Sequence, residues 1–261
     1  MSSTPLTPAR FRMEADMLRP LAAAAGVLAR NAIVMFEVAS TAGVPDVVLL
    51  VLDHGALDSR RGTSPLLEPV DVRLMVSTSS VRNPLGRVWS ADDLVQHSGV
   101  SVPHLRRTVL PRLVSGGHLA EFNGAWRLAY RYRSMAKRVI TIEAKLRDWR
   151  GAVGQASRHA SVADAAWVAL DQPSTGAALE NPHWFTTYGV GLLSVSTGGQ
   201  VKKLIAPGPN RARQPGRELL VERAVALHQE GRHSGEIPRV FGVTLLATTG
   251  VDPRLTGVGA R

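Results

Sequence analysis

The stretch VITIEAKLRDW, residues 139–149, ends an alternating apolar run with a glutamate and a lysine two positions apart. β-Branched residues in alternation predict a strand over residues 139–146. Residues i and i+2 of a strand lie on the same face, so Glu143 and Lys145 face the same way. Such a pair is common on exposed strands, where an ion pair contributes about 1 kcal/mol at most. Whether this pair is part of a functional site depends on the residues near it.

Three features near this strand bear on the pair. AIVMFEVAS (32–40), which contains Glu37, and DVVLLVLD (46–53) are predicted strands, and the second is a continuous apolar run of the kind found in buried strands. Pro45 and Asp46 open that second strand, which places Asp46 at a strand end. Downstream, Asp148 can cap a helix over 149–161 in which Gln155 and His159, four residues apart, share one face.

The remaining periodicity completes an α/β pattern. Strands are predicted over 165–171 and 190–196, with a hairpin turn at Gly198 and Gly199, and helices are predicted over 12–30 and 219–230. Residues 206–217, rich in Pro, Gly and Arg, are predicted to form a linker. No role is assigned to residues 206–261.

Residues 67–131 have a different character. They predict a helix (68–80), a short helix begun by a Ser90–Asp93 capping box, a second helix over about 102–115, and a hairpin at Asn123 and Gly124. This order resembles a winged helix-turn-helix module. In such modules the second helix enters the major groove of DNA and the wing contacts the backbone or the minor groove.

The basic side chains of this segment are the candidate DNA contacts. They are His104, Arg106, Arg107 and Arg112 on the second helix, with Arg127 and Arg131 on or after the wing. Pro111 departs from the pattern, because proline removes a backbone donor and bends a helix. The alternative is a protein-interaction module whose arginines form a solvated face.

A strand opened by Asp46, a Glu-x-Lys strand and a following helix with a glutamine together resemble the PD-(D/E)xK nuclease superfamily. The matched residues are Pro45, Asp46, Glu143, Ala144 and Lys145. Gln155-x-x-x-His159 is similar to the Gln-x-x-x-Tyr motif of the RecB-type branch, with histidine in place of tyrosine.

The resemblance implies a restriction-endonuclease-like α/β fold, a mixed sheet flanked by helices. Its core would comprise residues 12–53 and 138–205, with the winged module of 67–131 inserted between the two halves. A compact module whose ends lie close together can be inserted in this way. The insertion accounts for the long separation between Asp46 and Glu143.

The resemblance also implies roles for the site residues. Asp46, Glu143 and the Ala144 carbonyl would hold Mg²⁺ or Mn²⁺, since hard cations prefer oxygen ligands. Lys145 would orient the attacking water or stabilise developing negative charge. Glu37 would be an additional acidic group, and Gln155, with His159, would position water, the lysine or the DNA backbone.

Composition narrows the function classes. The 261 residues carry 31 basic and 21 acidic side chains, a net charge of +10 that favours an anionic partner such as DNA. The chain has no cysteine, which excludes disulfides, thiolate catalysis and cysteine-ligated zinc. No apolar run has the roughly 18 residues of a membrane span. We therefore expect a cytoplasmic protein that has no membrane partner; a homodimer is left open.

These observations predict a metal-dependent DNA nuclease, with endonucleolytic cleavage favoured over exonucleolytic. One alternative is a non-catalytic DNA-binding regulator or DNA-end sensor built on a nuclease-like scaffold. Another is an α/β protein-interaction module in which the Glu-x-Lys pair is fortuitous.

Overall fold

The computed structural model describes residues 9–80, 83–84, 86–210, 212–235, 239–240 and 243–244. Its strands are β1 (Ala32–Phe36), β2 (Val47–Leu52), β3 (Val88–Trp89), β4 (Leu119–Phe122), β5 (Ala125–Leu128), β6 (Ala136–Lys145), β7 (Ala165–Asp171), β8 (Gly191–Val195), β9 (Val201–Ile205), β10 (Arg239–Val240) and β11 (Val243–Thr244). Within these residues, a mixed six-stranded sheet has the order β1-β2-β6-β7-β8-β9. Helices flank it, so the predicted mixed α/β class is confirmed.

The α-helices are α1 (Leu18–Ala23), α2 (Ala25–Leu28), α3 (His54–Ser59), α4 (Pro69–Thr78), α5 (Ala91–Ser98), α6 (Val102–His104), α7 (Leu110–Ser115), α8 (Trp149–His159), α9 (Thr175–Leu179), α10 (Pro182–Tyr188) and α11 (Gly216–Gln229). Single turns of 3-10 helix cover Glu14–Met17 and Gln172–Ser174. Among the described residues, no helix is long and apolar enough to cross a membrane.

The central sheet is buried on both faces. β1, β2 and β6 pair antiparallel, whereas β6, β7 and β8 run parallel, with α8 crossing over between β6 and β7. One face, with Val47 and Ile142, packs on α1 and α2. The other face packs on α11 around Val48 and Val139 and on α8 around Val168. Two covered faces explain why the strands are nearly continuous apolar runs.

Residues 66–132 pack around a separate apolar core. It contains Trp89, Leu94, Leu105 and Leu113, and it is closed by a three-stranded sheet of order β3-β5-β4. The capping box at Ser90 is confirmed, because the Ser90 hydroxyl accepts from the Asp93 N–H and the Asp93 carboxylate accepts from the Ser90 N–H. The predicted hairpin is also confirmed.

The hairpin depends on backbone conformation at its two turn residues. Asn123 (φ 52°) and Gly124 (φ 72°) are both left-handed, as a type I′ turn requires. A second local feature is the proline in the helix that runs from Val102 to Ser115. A π turn over Leu105–Val109, in which the Leu110 N–H donates to the Leu105 carbonyl, lies directly before Pro111 and keeps the helix continuous.

Helix α11 joins the two cores, a role the sequence did not disclose. Leu219 packs in the core of residues 66–132, and Val221 packs under the central sheet. The buried Glu222 forms a 2.8 Å ion pair with Arg60 and accepts a hydrogen bond from the Leu66 N–H. The predicted boundary at residue 206 therefore divides a helix from the sheet it packs on.

Two predicted elements are shorter in the structure. The helix predicted over 12–30 is divided into a 3-10 turn, α1 and α2, with Pro20 inside α1. The strand predicted over 32–40 ends at Phe36, because Glu37 adopts a left-handed backbone (φ 51°) that cannot continue a strand.

Candidate active site at the end of the central sheet

Asp46 and Glu143 lie at the same end of the central sheet. The last paired residues of β2 and β6 are Val47 and Ile142, so the antiparallel register places Asp46 opposite Glu143. The backbone N–H of Ala144 donates a 2.7 Å hydrogen bond to the Asp46 carboxylate. Strand pairing therefore brings together two acidic residues that the chain holds far apart.

The two carboxylates also share a face of the sheet. Val48 and Val139 pack in the cluster under α11, whereas Val47 and Ile142 pack on the opposite face. Side chains alternate between faces along a strand, so Asp46 and Glu143 lie on the α11 and α8 side. If the two carboxylates lay on opposite faces of the sheet, they could not form one site. The β2–β6 register places them on the same face.

Lys145 contacts Glu143 directly. Its Nζ lies 3.1 Å from Glu143 Oε1 and 3.2 Å from Glu14 Oε2. Burial lowers the pKa of Lys145, but the charges of Glu143 and Asp46 outweigh burial, so the net shift is upward and the amine stays protonated. The predicted Glu-x-Lys pair is thus a partly buried ion pair.

Glu14 belongs to this cluster although sequence reasoning did not select it. Besides contacting Lys145, its Oε1 accepts a 3.4 Å hydrogen bond from the Leu146 N–H. It comes from the first turn of the N-terminal helical segment, whose Met17 is fully buried against the sheet. An acidic residue at the start of an amphipathic helix was the available signal, but it is too common to single out.

The carboxylates are electrostatically strained in their charged forms. Burial and then the charge of Asp46 raise the pKa of Glu143 to about 7, against the opposing effect of Lys145. Burial likewise raises the pKa of Asp46, opposed by the Ala144 N–H and by Lys145. Glu143 Oε2 is buried and has no hydrogen-bond partner among the described residues. A cation placed between these groups would relieve both conditions.

Glu37 lies beside Asp46 in a strained backbone conformation. Its N–H donates to the Asp46 carbonyl at 3.3 Å, and its side chain is 8% exposed. Burial and the charge of Asp46 raise its pKa to about 7, and its Oε2 has no hydrogen-bond partner within the described chain. A left-handed glutamate costs free energy, and such residues cluster at functional sites.

Helix α8 brings His159 to the cluster. Its Nδ1 lies 3.7 Å from Glu143 Oε2, and burial, with the charge of Arg158, lowers its pKa to about 4, so the ring is neutral near pH 7. The N-cap predicted at Asp148 is confirmed by its bond to the Gly151 N–H. Gln155 lies one turn earlier and is partly buried; in the described residues no hydrogen bond joins its amide to the acidic cluster.

The residues present fit a hard divalent cation with a small protein donor set. The candidates are the carboxylates of Asp46 and Glu143 and the carbonyl of Ala144, all oxygen donors. Among the described residues, no group of three or more His, Asp or Glu side chains is arranged to hold a metal ion. Glu37, Glu14 and His159 therefore surround the pair without completing a side-chain cage, and most ligands would be waters.

The predicted DNA contacts divide into exposed and engaged side chains. His104, Arg106 and Arg107 are exposed on the helix that runs from Val102 to Ser115, and Arg127 is exposed on the hairpin over the Phe122 ring. Arg131 is partly buried and donates to the Asn83 carbonyl.

Arg112 is engaged within the protein. Its guanidinium makes two hydrogen bonds, of 2.6 and 2.8 Å, to the buried carboxylate of Asp71 on α4. This bidentate pair fixes α7 against α4, so the Arg112 guanidinium has a structural partner and we remove it from the candidate DNA surface.

Comparisons of the chain with protein-family models, with curated proteins and with solved structures return no match.

Proposed function

We propose that this protein is a metal-dependent DNA nuclease that hydrolyses phosphodiester bonds at the Asp46–Glu143–Lys145 cluster. The observation that carries the proposal is the β2–β6 register, which puts two carboxylates and a lysine on one face at one end of a buried sheet. A scaffold needs no such concentration of charge, because buried carboxylates cost free energy unless something neutralises them.

Each residue has a defined part in the proposed reaction. Asp46, Glu143 and the Ala144 carbonyl would hold Mg²⁺ or Mn²⁺, which when bound would neutralise charge at the phosphate and acidify a water molecule. The Lys145 ammonium would orient the attacking water and stabilise the negative charge that develops on the phosphate.

Two further residues would support these groups. Neutral His159, 3.7 Å from Glu143 Oε2, would position the Glu143 carboxylate. Glu37, whose pKa is raised to about 7, would accept a proton near neutral pH, and it adjoins Asp46 through a backbone hydrogen bond. We retain Gln155 as a substrate-positioning candidate on the same helix face as His159.

The 66–132 unit would supply DNA binding. Its order of helix, strand, two helices and hairpin suits a winged helix-turn-helix, with the exposed His104, Arg106 and Arg107 on the second helix facing the major groove. Arg127, beside the 58% exposed Phe122, would contact the backbone or minor groove from the wing.

A second candidate is a non-catalytic DNA-binding regulator on the same scaffold. It is favoured by the ion pairs that hold Lys145 between Glu143 and Glu14, since they also suit a purely structural sheet end. Plasmid cleavage in Mg²⁺ or Mn²⁺ separates the candidates. Cleavage abolished in Lys145→Ala supports the nuclease, whereas DNA binding with no cleavage in either metal supports the regulator.

A further inference from the structure

A cavity of about 340 Å³ lies next to the acidic cluster. Its walls include Arg12, Glu14, Arg147 and Asp171, the last two from the carboxyl ends of the parallel strands β6 and β7. Glu14 also contacts Lys145, so the cavity adjoins the proposed cleavage site. Open α/β sheets bind ligands at the carboxyl ends of their strands, and this cavity has that position.

Three arginines and three carboxylates line the cavity: Arg10, Arg12 and Arg147 with Glu14, Asp148 and Asp171. Arg10, Arg12 and Arg147 are exposed, and in the described part of the chain no salt bridge joins Arg12 or Arg147 to a carboxylate. The acids beside them are engaged: Glu14 contacts Lys145, and Asp148 caps α8. Burial raises the pKa of Asp171, and the charges of Arg10 and Arg147 oppose that rise, so these arginines lie near its carboxyl group. Exposed guanidinium groups outside a salt bridge keep N–H donors that are suited to bind phosphate.

Asp171, at the end of β7, contributes a hydrogen-bond acceptor that has no donor in the described chain. Asp171 is 2% exposed, and its Oδ1 has no hydrogen-bond partner among the described residues. Buried polar atoms are nearly always paired in folded proteins, so such an atom indicates a donor that binds there. Phosphate cannot serve, but the exocyclic amino group of cytosine, adenine or guanine can.

We propose that this cavity, which we call the arginine groove (Arg10, Arg12, Arg147 and Asp171), binds one nucleotide of a single DNA strand. The arginines hold its phosphate, and Asp171 accepts a hydrogen bond from the amino group of its base. The volume is that of one small ligand, so a single nucleotide would fit in it. This inference depends on the proposed function for its substrate class and sharpens it: the strand reaches the cluster unpaired.

The test measures equilibrium binding of a short fluorescent oligodeoxycytidylate in EDTA, so that no cleavage occurs. The background is Arg106→Ala/Arg107→Ala, which removes exposed charge from the other proposed DNA surface. In that background Arg12→Ala/Arg147→Ala should weaken binding about tenfold or more and reduce the salt slope by about 0.7 for each phosphate that the protein no longer neutralises. The matched control is Arg19→Ala/Arg30→Ala, two exposed arginines outside the groove, which should change affinity less than about twofold.

Further arms identify the ligand and separate the two proposals. Asp171→Asn should weaken binding of the oligodeoxycytidylate, whereas binding of an oligothymidylate, whose base has no amino group, should not weaken. The inference is overturned if the groove variant binds like its parent, if the control weakens binding as much, or if a blunt duplex shows the same dependence on Arg12 and Arg147. Cleavage that persists with such a result overturns the groove alone, whereas groove-dependent binding without any cleavage overturns the nuclease and leaves the groove.

Discussion

The carboxylate of Asp46 accepts a 2.7 Å hydrogen bond from the backbone N–H of Ala144, a residue 98 positions further along the chain. This bond fixes the end of β2 against the end of β6 and sets Asp46 beside Glu143. The geometry is that of neighbouring strands in one sheet, with the 66–132 unit placed between them in sequence. The proposed site, the proposed DNA surface and the helix between the two cores can each be tested by substitution.

Replacing Lys145 tests the proposed catalytic role. Lys145→Ala removes the ammonium that contacts Glu143. The variant should lower the rate of plasmid cleavage by about 100-fold or more, because the ammonium would stabilise negative charge that develops only in the transition state. The control is Lys137→Ala, an exposed lysine on the same strand, which should cleave at the wild-type rate. Equal rates in all three proteins would remove Lys145 from the site.

Glu143→Gln should change how stability depends on pH. Folding raises the Glu143 pKa from 4.5 to about 7, so the folded state holds its proton more tightly and loses stability as pH rises through that window. The glutamine variant lacks this loss, which we expect to be about 1–3 kcal/mol. The free energy of urea unfolding, measured for both proteins at several pH values, gives the difference.

The comparison with Glu143→Gln is needed because a histidine such as His159 changes stability with pH in the direction opposite to Glu143. The pKa of His159 falls from 6.5 to about 4 on folding, so its contribution grows as pH rises between those values. Added Mg²⁺ should stabilise the wild type above pH 7 and stabilise Glu143→Gln less. A variant whose pH profile parallels the wild type would show that Glu143 titrates normally.

Substitution of Arg112 should lower stability, whereas substitution of Arg106 and Arg107 should weaken DNA binding. Arg112→Ala leaves the buried Asp71 carboxylate unpaired and should lower the free energy of unfolding by about 1–3 kcal/mol. Arg106→Ala/Arg107→Ala should leave stability nearly unchanged while weakening duplex DNA binding and reducing its salt slope by about 0.9 for each phosphate no longer neutralised. Denaturant unfolding and fluorescence anisotropy distinguish them, and a stability loss in the double variant would contradict the assignment.

Glu222→Ala tests whether α11 couples the two cores. The substitution leaves Arg60 buried without its partner and removes the acceptor for the Leu66 N–H, a loss of about 3–5 kcal/mol. Glu230→Ala, which removes an exposed ion pair with Arg232 on the segment after α11, should cost less than about 1 kcal/mol. Thermal unfolding of the two variants makes the comparison, and equal melting temperatures would mean that α11 does not couple the cores.

Local sequence determined the elements of this protein. Alternation and apolar runs predicted β2, β6 and β7 close to their observed bounds, and cap and turn residues predicted the starts of α5 and α8 and the Asn123–Gly124 hairpin. These signals work because capping bonds and left-handed turns depend on residues only a few positions apart. Glu143 and Lys145 were placed on one face for the same reason.

Only the tertiary structure decided which of the charged residues meet. Strand register brought Asp46 to Glu143, and the packing of the N-terminal segment brought Glu14 to Lys145. Packing also assigned Arg112 to Asp71 and gave α11 its role between two cores. Periodicity is silent on such pairs, and only the family resemblance joined Asp46 to Glu143 in advance. A long-range contact depends on how whole elements pack, whereas hydrophobic periodicity records only which side of each element is buried.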